Sequence, residues 1–477
     1  MTPSKTATAT ASATPSASPT FAPSATPSDT ATPTASATRT LTPSATATAT
    51  SSPTATATPT ITLTPSPTRD PRLPAWTFIL YYAGDSGLTF FLDRALKRME
   101  ALTDLSNVNV LVLFDGEGSN YTWRYHIQPG GQYVQGVNKW FLGEVNSGDG
   151  RVLQEFVAWA HDNYPAQYYY VAIADHGRGT QGIAWDAPYS DRLTPGELRT
   201  ALRKATHGGA WRIDVLHYDA CLMGMFEHAY DVRDFADYFV ASENLAIALF
   251  GQDLYLEVAR AEATPRQLAE SICDIYFNHP FVNRNARTIS AIDTSRLEPV
   301  NRALDALAQA LVQNLAAHKG EIAAARHESQ KFDSQDYFAI TDDDEYVDLY
   351  DLALKLEARV SAPAVRSAAR VLIESLESGV IVAEHHYGIP PKWGLDGAHG
   401  TALYFPNHAR ASELRDYVSG NLFAFTADNH WDEFLAAYYQ LRAPFPEPEE
   451  APGIPPTLPP FMELEDFLEF IAAQRHP

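Results

Sequence analysis

The sequence predicts an α/β fold: a mainly parallel sheet with helices on both faces, then a mixed α/β C-terminal portion, all preceded by a disordered N-terminal tail. From about residue 76, short apolar runs of strand length alternate with segments of helical periodicity, which is typical of parallel sheets covered by helices. From residue 295 the helical segments lengthen. Residues 1 to about 70 are almost wholly Thr, Ser, Ala and Pro and lack the apolar surface that a core requires.

Each element follows from its local pattern. Apolar runs predict strands over residues 78–82, 108–114, 168–174, 238–241 and 288–292, with another strand starting at Ile213. Periodicity predicts helices over 90–102, 152–159 and 223–235, and a helix that starts at Thr194, with Thr as cap and Pro at the first turn. Beyond residue 295 we predict helices over 297–315 and 362–376 and strands over 380–383 and 403–405.

These elements divide the chain into five parts. We predict a disordered stalk or linker over 1–72, a first α/β domain over 73–294, and an α/β portion packed on it over 295–441. A proline-rich acidic linker over 442–461 and a short acidic helix over 462–477 complete the chain.

Charge and cysteine content narrow the class of protein. The 477 residues carry a formal net charge of −23, which disfavours nucleic-acid binding and fits a soluble surface protein, although it would also attract cationic substrates. The two cysteines, Cys221 and Cys273, do not make a disulfide framework. Cys273 falls on the apolar stripe of a helical pattern over 265–276, so we expect it in the core. We expect a monomer.

The Thr/Ser/Pro-rich tail predicts the location of the protein relative to the cell. Such stretches are typical of O-glycosylated stalks, so we expect an extracellular or cell-surface location, with an unmodified linker as the alternative. No signal-like segment follows Met1, and the apolar patch around Phe21 is too short to span a membrane. We therefore expect an upstream segment to supply export, with another export route, or a tail that tethers something else, as the alternatives.

Two of the apolar runs end in chemically reactive side chains. One run delivers His176 just before Gly177, and the run from Ile213 delivers Cys221. Ligands bind at the carboxyl edge of open α/β sheets, and a cysteine nucleophile needs an imidazole to lower its pKa or take its proton. A lone His-Gly or buried cysteine is ordinary. Together, at two strand ends, they predict a catalytic Cys–His dyad.

Neighbouring residues complete this predicted site. The backbone N–H groups of Gly177 and Cys221 are candidate oxyanion donors because both lie at strand-to-turn edges, and a side chain at Gly177 would crowd the reacting carbonyl. Asp219 is two residues before Cys221, so both should face the same cleft. The alternative is that Asp219 caps the following helix.

The resemblance to a known family extends well beyond the dyad. It is carried by the segments 76–88, 143–149, 162–165, 218–223, 229–243, 402–406 and 431–435, within roughly residues 74 to 441. The chain resembles the clostripain family of cysteine peptidases, in the caspase–gingipain–legumain group. The resemblance implies a caspase-like sheet, a cysteine endopeptidase that cleaves after Arg or Lys, and Asp219 as the floor of the pocket for the basic P1 side chain.

The chain departs from the family's pattern after Glu243. The family continues with a Pro-Gly loop and a Gly-Trp pair, whereas residues 244–254 read Asn-Leu-Ala-Ile-Ala-Leu-Phe-Gly-Gln-Asp-Leu. Because that loop helps to form the P1 pocket, a non-basic P1 preference stays open, as does a non-catalytic binding module displayed by the stalk. Asp253 is a candidate second acid for the substrate pocket, or a residue at the start of a surface helix.

The family also implies self-processing and, in some relatives, a calcium requirement. Arg192 is our first candidate for autocleavage, because 187–192 is a polar, proline-containing stretch between the His and Cys strands. Arg199, Arg203, Lys204 and Arg212 also lie there, with ordinary surface charge as the alternative. The acidic run 342–345 offers oxygen ligands but lacks the spacing and glycine of a calcium loop, so the sequence itself predicts neither a metal ligand nor a required cofactor.

Overall fold

A nine-stranded sheet lies at the centre of the computed structural model, which describes residues 70–118, 121–409, 413–420 and 422–441. All of these residues belong to one compact unit. The predicted tail, apart from residues 70–72, and the predicted linker and helix over 442–477 lie outside the described residues.

The strands are taken in chain order. They are β1 (Trp76–Ala83), β2 (Val108–Asp115), β3 (Thr122–His126), β4 (Lys139–Gly143), β5 (Tyr168–Ala174), β6 (Ile183–Asp186), β7 (Asp191–Leu193), β8 (Ile213–Asp219), β9 (Ala236–Ala241), β10 (Arg287–Asp293), β11 (Lys331–Phe332), β12 (Tyr346–Asp348), β13 (Ile381–Tyr387) and β14 (Ala402–Tyr404).

The α-helices are numbered in the same way. They are α1 (Thr89–Glu100), α2 (Gly150–Asn163), α3 (Pro195–Ala205), α4 (Phe226–Val232), α5 (Gln252–Arg260), α6 (Pro265–Asn278), α7 (Leu297–Glu328), α8 (Leu349–Arg359), α9 (Pro363–Leu376), α10 (Leu414–Val418) and α11 (Trp431–Tyr439).

The central sheet has the strand order β13-β10-β9-β8-β5-β1-β2-β3-β4. The five inner strands, β9, β8, β5, β1 and β2, run parallel to one another. Antiparallel strands flank them, β10 and β13 on one side and β3 and β4 on the other. The predicted mainly parallel sheet is therefore confirmed.

Helices cover both faces of this sheet because its inner strands are apolar on both sides. Alternate residues of β1 point to opposite faces: Ile79 and Tyr81 join one core cluster, and Phe78 and Leu80 join the other. The first cluster also holds residues of α2, α3, α4, α7, α8, α9 and α11. The second holds residues of α1, α5 and α6, including the fully buried Cys273, as expected for a core cysteine.

Local signals set several helix starts. Thr194 and Thr264 each form a capping box, with Glu197 and Gln267 respectively, and proline occupies the first turn in both helices. The predicted start of α3 at Thr194 is confirmed. Asp149 caps α2 by accepting a hydrogen bond from the backbone N–H of Arg151.

The residues after 295 are joined to the central sheet. Their strand β13 pairs with β10, and their helix α7 packs against α8, α9 and α11. Two smaller sheets, β11-β12-β14 and the hairpin β6-β7, lie outside the central sheet. No helix in the described part of the chain combines the length and apolar character needed to cross a bilayer.

Some elements differ from the sequence prediction. The helix predicted over 223–235 covers only Phe226–Val232, because residues 220–225 form a turn. The helix predicted over 297–315 extends to Glu328. The hairpin of β3 and β4 was not predicted, since its residues alternate apolar and charged side chains only weakly.

Candidate active site

The register of two neighbouring strands brings His176 and Cys221 to the same edge of the sheet. Strand β5 pairs in parallel with β8, and Ala174 is the register partner of Asp219. His176 and Cys221 each follow these paired residues by two positions. Both side chains line one small cavity at the carboxyl edge, which is where the sequence placed them.

A sharp turn holds Cys221 at the end of β8. The next residue, Leu222, has φ of 63°, a left-handed conformation that is rare for a branched side chain. Its backbone N–H donates to the Asn244 carbonyl at 3.0 Å. Such strain persists only where the surrounding structure fixes it, and it clusters at functional sites. The turn ends the strand and leaves Cys221 in the lining of the cavity that also contains His176.

Gly177 lies against the same turn. A Cβ at this position would lie 2.4 Å from the Cys221 carbonyl oxygen and 2.8 Å from the Ala220 Cβ. Glycine is therefore needed for the approach of the two strand ends, and not only for room beside a substrate carbonyl. The backbone groups of Gly177 and Cys221 consequently lie in direct contact.

The Cys221 thiol is covered in this conformation. Its Sγ lies 3.2 Å from the Ala246 backbone nitrogen and 3.6 Å from the Ala246 carbonyl oxygen. Burial raises the pKa of the Cys221 thiol to about 12, although the contact with Ala246 lowers it. The thiol is thus neutral at rest.

The imidazole of His176 is also neutral at rest. Burial lowers the pKa of His176 to about 4, opposed by a hydrogen bond to the Ser86 backbone. Ser86 lies in the loop that follows β1, the strand adjacent to β5. The backbone of Ser86, at a third strand end, therefore lies beside the ring.

The cavity between the dyad residues is small. Its volume is about 20 Å³, room for roughly one water molecule. Its lining residues are Leu88, Asp175, His176, Asp219, Ala220, Cys221, Ala246, Ile247, Ala248 and Phe250. We call residues 246–250 the covering segment, because they close the cavity above the thiol. At this volume the cavity is too small for a substrate side chain.

Asp219 faces the cavity rather than capping α4. Its Oδ2 accepts a hydrogen bond from Gln252 Nε2 at 2.8 Å, whereas the N-cap of α4 is Met225 without a side-chain cap. Asp219 is only 6% exposed. Burial raises the pKa of this carboxyl, while His217 and Gln252 lower it.

Asp253 is not brought into the cavity. Its carboxylate pairs with Arg98 Nε at 3.0 Å, and Arg98 also donates to the carbonyls of Leu249 and Phe250. Asp253 lies in the first turn of α5. Asp253 thus lies outside the residues that line the cavity and at a helix start, the alternative position, where Arg98 links it to the covering segment.

Arg192 lies in strand β7 rather than in an exposed loop. It is half-buried, and its Nε donates to the Gln181 carbonyl at 2.7 Å. The exposed turn of the hairpin is residues 187–190, which contain no basic residue. The expectation of an exposed site at Arg192 is therefore corrected, because β6 pairs with this segment.

The acidic run 342–345 is committed to internal contacts. Asp344 accepts hydrogen bonds from the backbone N–H groups of Ser334, Gln335 and Thr341. Asp342 pairs with His327 and with Lys331. Within the described ranges no group of three His, Cys, Asp or Glu side chains is arranged to hold a metal ion.

The family resemblance placed the loop 244–254, which includes the covering segment, at the P1 pocket, but neither Ser86 nor Gln252 was singled out. Ser86 lies in a Gly-Asp-Ser-Gly stretch directly after β1, a strand-end position that could have drawn attention to it. Gln252 and Ala246 carry no local signal, since only the tertiary path of residues 244–252 brings them to the thiol.

A parallel α/β sheet that presents a thiol and an imidazole at adjacent strand ends defines a cysteine peptidase of the caspase-like class. The profile of the clostripain family matches residues 80–438. Clostripain of Hathewaya histolytica is 25% identical over 402 residues, which cover 69% of this chain and 74% of clostripain.

Solved structures agree on the fold. A secreted C11 cysteine protease from Bacteroides thetaiotaomicron, bound to an irreversible peptide inhibitor, has a TM-score of 0.52 and 19% identity over 75% of this chain and 99% of that one. An inactive zymogen C11 protease from Parabacteroides distasonis has a TM-score of 0.52 and 17% identity over the same shares. The chain belongs to the clostripain family and is a cysteine endopeptidase.

Proposed function

We propose that the protein hydrolyses peptide bonds through a Cys221–His176 dyad. The observation that carries this proposal is the β5–β8 register, which places both side chains on one cavity. Cys221 Sγ attacks the carbonyl carbon while His176 accepts the thiol proton. His176 then gives that proton to the leaving amine, and the acyl-enzyme forms. Water, deprotonated by His176, releases the acid and restores the thiol.

In the resting state Cys221 and His176 do not form a thiolate–imidazolium ion pair. The proton must therefore pass from the thiol to the imidazole when the substrate binds. The thiol is neutral because it is buried, and the imidazole is neutral for the same reason. A substrate that displaces the covering segment would replace the Ala246 contacts of Sγ with its own carbonyl carbon. The backbone N–H groups of Gly177 and Cys221 would then stabilise the developing oxyanion.

We propose Arg or Lys as the P1 residue, held by Asp219. A buried carboxylate at the floor of a narrow cavity favours a cationic side chain, and guanidinium pairs with it in bidentate fashion. Gln252 occupies one oxygen of Asp219 and would rotate away or share the site. The alternative, a non-basic P1 side chain, is supported by the apolar lining of Leu88, Ile247 and Phe250.

The setting follows from the tail and the relatives. We propose that the stalk displays the enzyme outside the cell, as its relative from Bacteroides thetaiotaomicron is described as secreted. We further propose that the enzyme works as a monomer and needs no cofactor. The catalytic assay with and without calcium tests the last point.

A scan of fluorogenic peptides that differ only at P1 tests this function. We expect Arg and Lys to exceed Leu, Gln and Asp at P1, and Asp219→Asn to lose at least about 100-fold in kcat/KM for Arg, because an unpaired buried charge costs on the order of 3–5 kcal/mol. Asp253→Asn is the matched control and should keep the preference. Equal cleavage after Arg and Leu by the unmodified protein would establish the non-basic alternative.

A further inference from the structure

The residue before His176 carries a buried carboxyl group, whose pKa burial raises well above its ordinary value, and this group joins two separate segments. Asp175 is 3% exposed. One carboxylate oxygen accepts a hydrogen bond from the Ser86 hydroxyl, and the other accepts one from the Trp185 backbone N–H at 2.5 Å. Asp175 therefore links the loop after β1 to strand β6, with His176 adjacent to it in the chain.

On β6 the partner of Asp175 is the backbone N–H of Trp185, and the backbone before it is distorted. Ala184 has φ of 61°, and the pairing of β6 with β7 shifts register between Ile183 and Trp185. Its own N–H donates to the His176 carbonyl at 3.3 Å. A left-handed conformation is unfavourable for alanine and persists only where the surrounding structure fixes it. Here the distortion turns the Trp185 N–H towards Asp175.

In the loop after β1, the partner of Asp175 is Ser86, which also contacts the imidazole ring of His176. The Ser86 backbone forms the hydrogen bond to the His176 imidazole, and the Ser86 hydroxyl is the group held by Asp175. The loop is also tied to β2 and to the β6–β7 turn, since Gly84 N–H donates to the Asp115 carbonyl and Ala187 N–H donates to the Asp85 carbonyl. The hydrogen bond from the Ser86 hydroxyl to Asp175 holds this loop at a third point, next to the imidazole ring of His176.

We propose that Asp175 is a positioning residue: its carboxylate bridges Ser86 to Trp185 and so fixes the Ser86 backbone against the imidazole of His176. Asp175 acts through Ser86 and takes no part in proton transfer. This inference rests on the proposed dyad and adds the structural reason for the ring's orientation. A misplacement of the base by about 1 Å can cost on the order of 100-fold in rate, so the bridge acts on kcat.

The test compares Asp175→Ala, Ser86→Ala, the double variant and Asp175→Asn with the unmodified protein on the best P1 peptide. We expect each alanine variant to lower kcat by about 10- to 100-fold while KM changes by less than about threefold. The double variant should be no more than about twofold slower than either single variant, because both remove the same bridge.

Asp175→Asn is the conservative rescue. Its amide oxygen can accept from the Trp185 N–H, and its amide nitrogen can donate to Ser86 Oγ, whose hydroxyl can turn to the Ala83 carbonyl at 3.4 Å. We expect it to retain most of kcat with an unchanged pH profile. If Asp175→Ala fails to fold, Asp175→Asn and Ser86→Ala still test the positioning role.

His176→Ala in the same assay separates this inference from the proposed function. If His176→Ala retains turnover, the dyad itself is wrong. If His176→Ala is inactive but Asp175→Ala and Ser86→Ala keep full kcat, the positioning role is wrong. Losses in the two single variants that multiply in the double variant, or losses that match only the unfolded fraction by circular dichroism, would likewise overturn it.

Discussion

Cys221 occupies an environment that suppresses its own reactivity. A free cysteine has a pKa of about 8.5, whereas burial raises the pKa of this thiol to about 12. The imidazole that should accept its proton is held neutral, since burial lowers the pKa of His176 to about 4. Both shifts come from loss of solvent. A substrate that opens the cavity therefore changes the reactivity of both groups together.

The reactivity of Cys221 should therefore depend steeply on pH. In a Cys273→Ala background, which leaves one thiol, the rate of iodoacetamide alkylation should rise about tenfold per pH unit from pH 6 to 9, because the thiolate fraction grows throughout that range. The same protein in denaturant should level off above about pH 8.5. A constant rate from about pH 5 upwards would indicate a thiolate–imidazolium pair and would contradict the neutral resting state.

The sequence could predict the dyad and Asp219 but not their neighbours. His176, Cys221 and Asp219 lie at or just after strand ends, and strand ends are visible as the ends of apolar runs. From the sequence, Asp253 was as good a candidate for a pocket acid as Asp219. Its partner Arg98, however, lies 155 residues away in α1. Long-range pairing of this kind has no local signature.

At the scale of elements, the connection between the His and Cys strands is more ordered than its composition suggests. Polar, proline-containing residues predicted a loop, but β6 and β7 form a hairpin, and Ile183 of β6 pairs with Gly177 in the turn after β5. Exposed basic residues occur instead at the end of α3, where Arg203 and Lys204 precede a turn that exposes His207, Gly208 and Ala210 but buries Thr206. Helix ends fray more readily than paired strands open.

Self-processing, which we propose from the family resemblance, should therefore occur at the end of α3. Purified protein should yield two fragments, with a new N-terminus at Ala205, and Cys221→Ala protein should stay intact. Changing Arg203 and Lys204 together to Gln should block the cut, whereas the matched Arg192→Gln variant should not. A new N-terminus at Leu193 would show that β7 opens, and a fully active single chain would show that no cut is needed.

At the scale of the whole molecule, the sheet determines the site. Five parallel strands align their carboxyl ends, so that β1, β5 and β8 bring Ser86, His176 and Cys221 together. The fold class and most inner elements could be predicted, because strands buried on both faces are continuous apolar runs. The outer antiparallel strands β3 and β4 could not be predicted, since their residues are only partly buried and their apolar pattern is weak.

The central claim is that one thiol and one imidazole on adjacent strand ends carry out peptide hydrolysis. The most direct measurement is the turnover of a single Arg-P1 peptide by the unmodified protein, Cys221→Ala, His176→Ala and Cys273→Ala. Both dyad variants should lose turnover by several orders of magnitude while keeping the circular dichroism of the folded protein. Cys273→Ala, which changes the other thiol, should remain active wherever it folds. Normal turnover by folded Cys221→Ala protein would contradict the account.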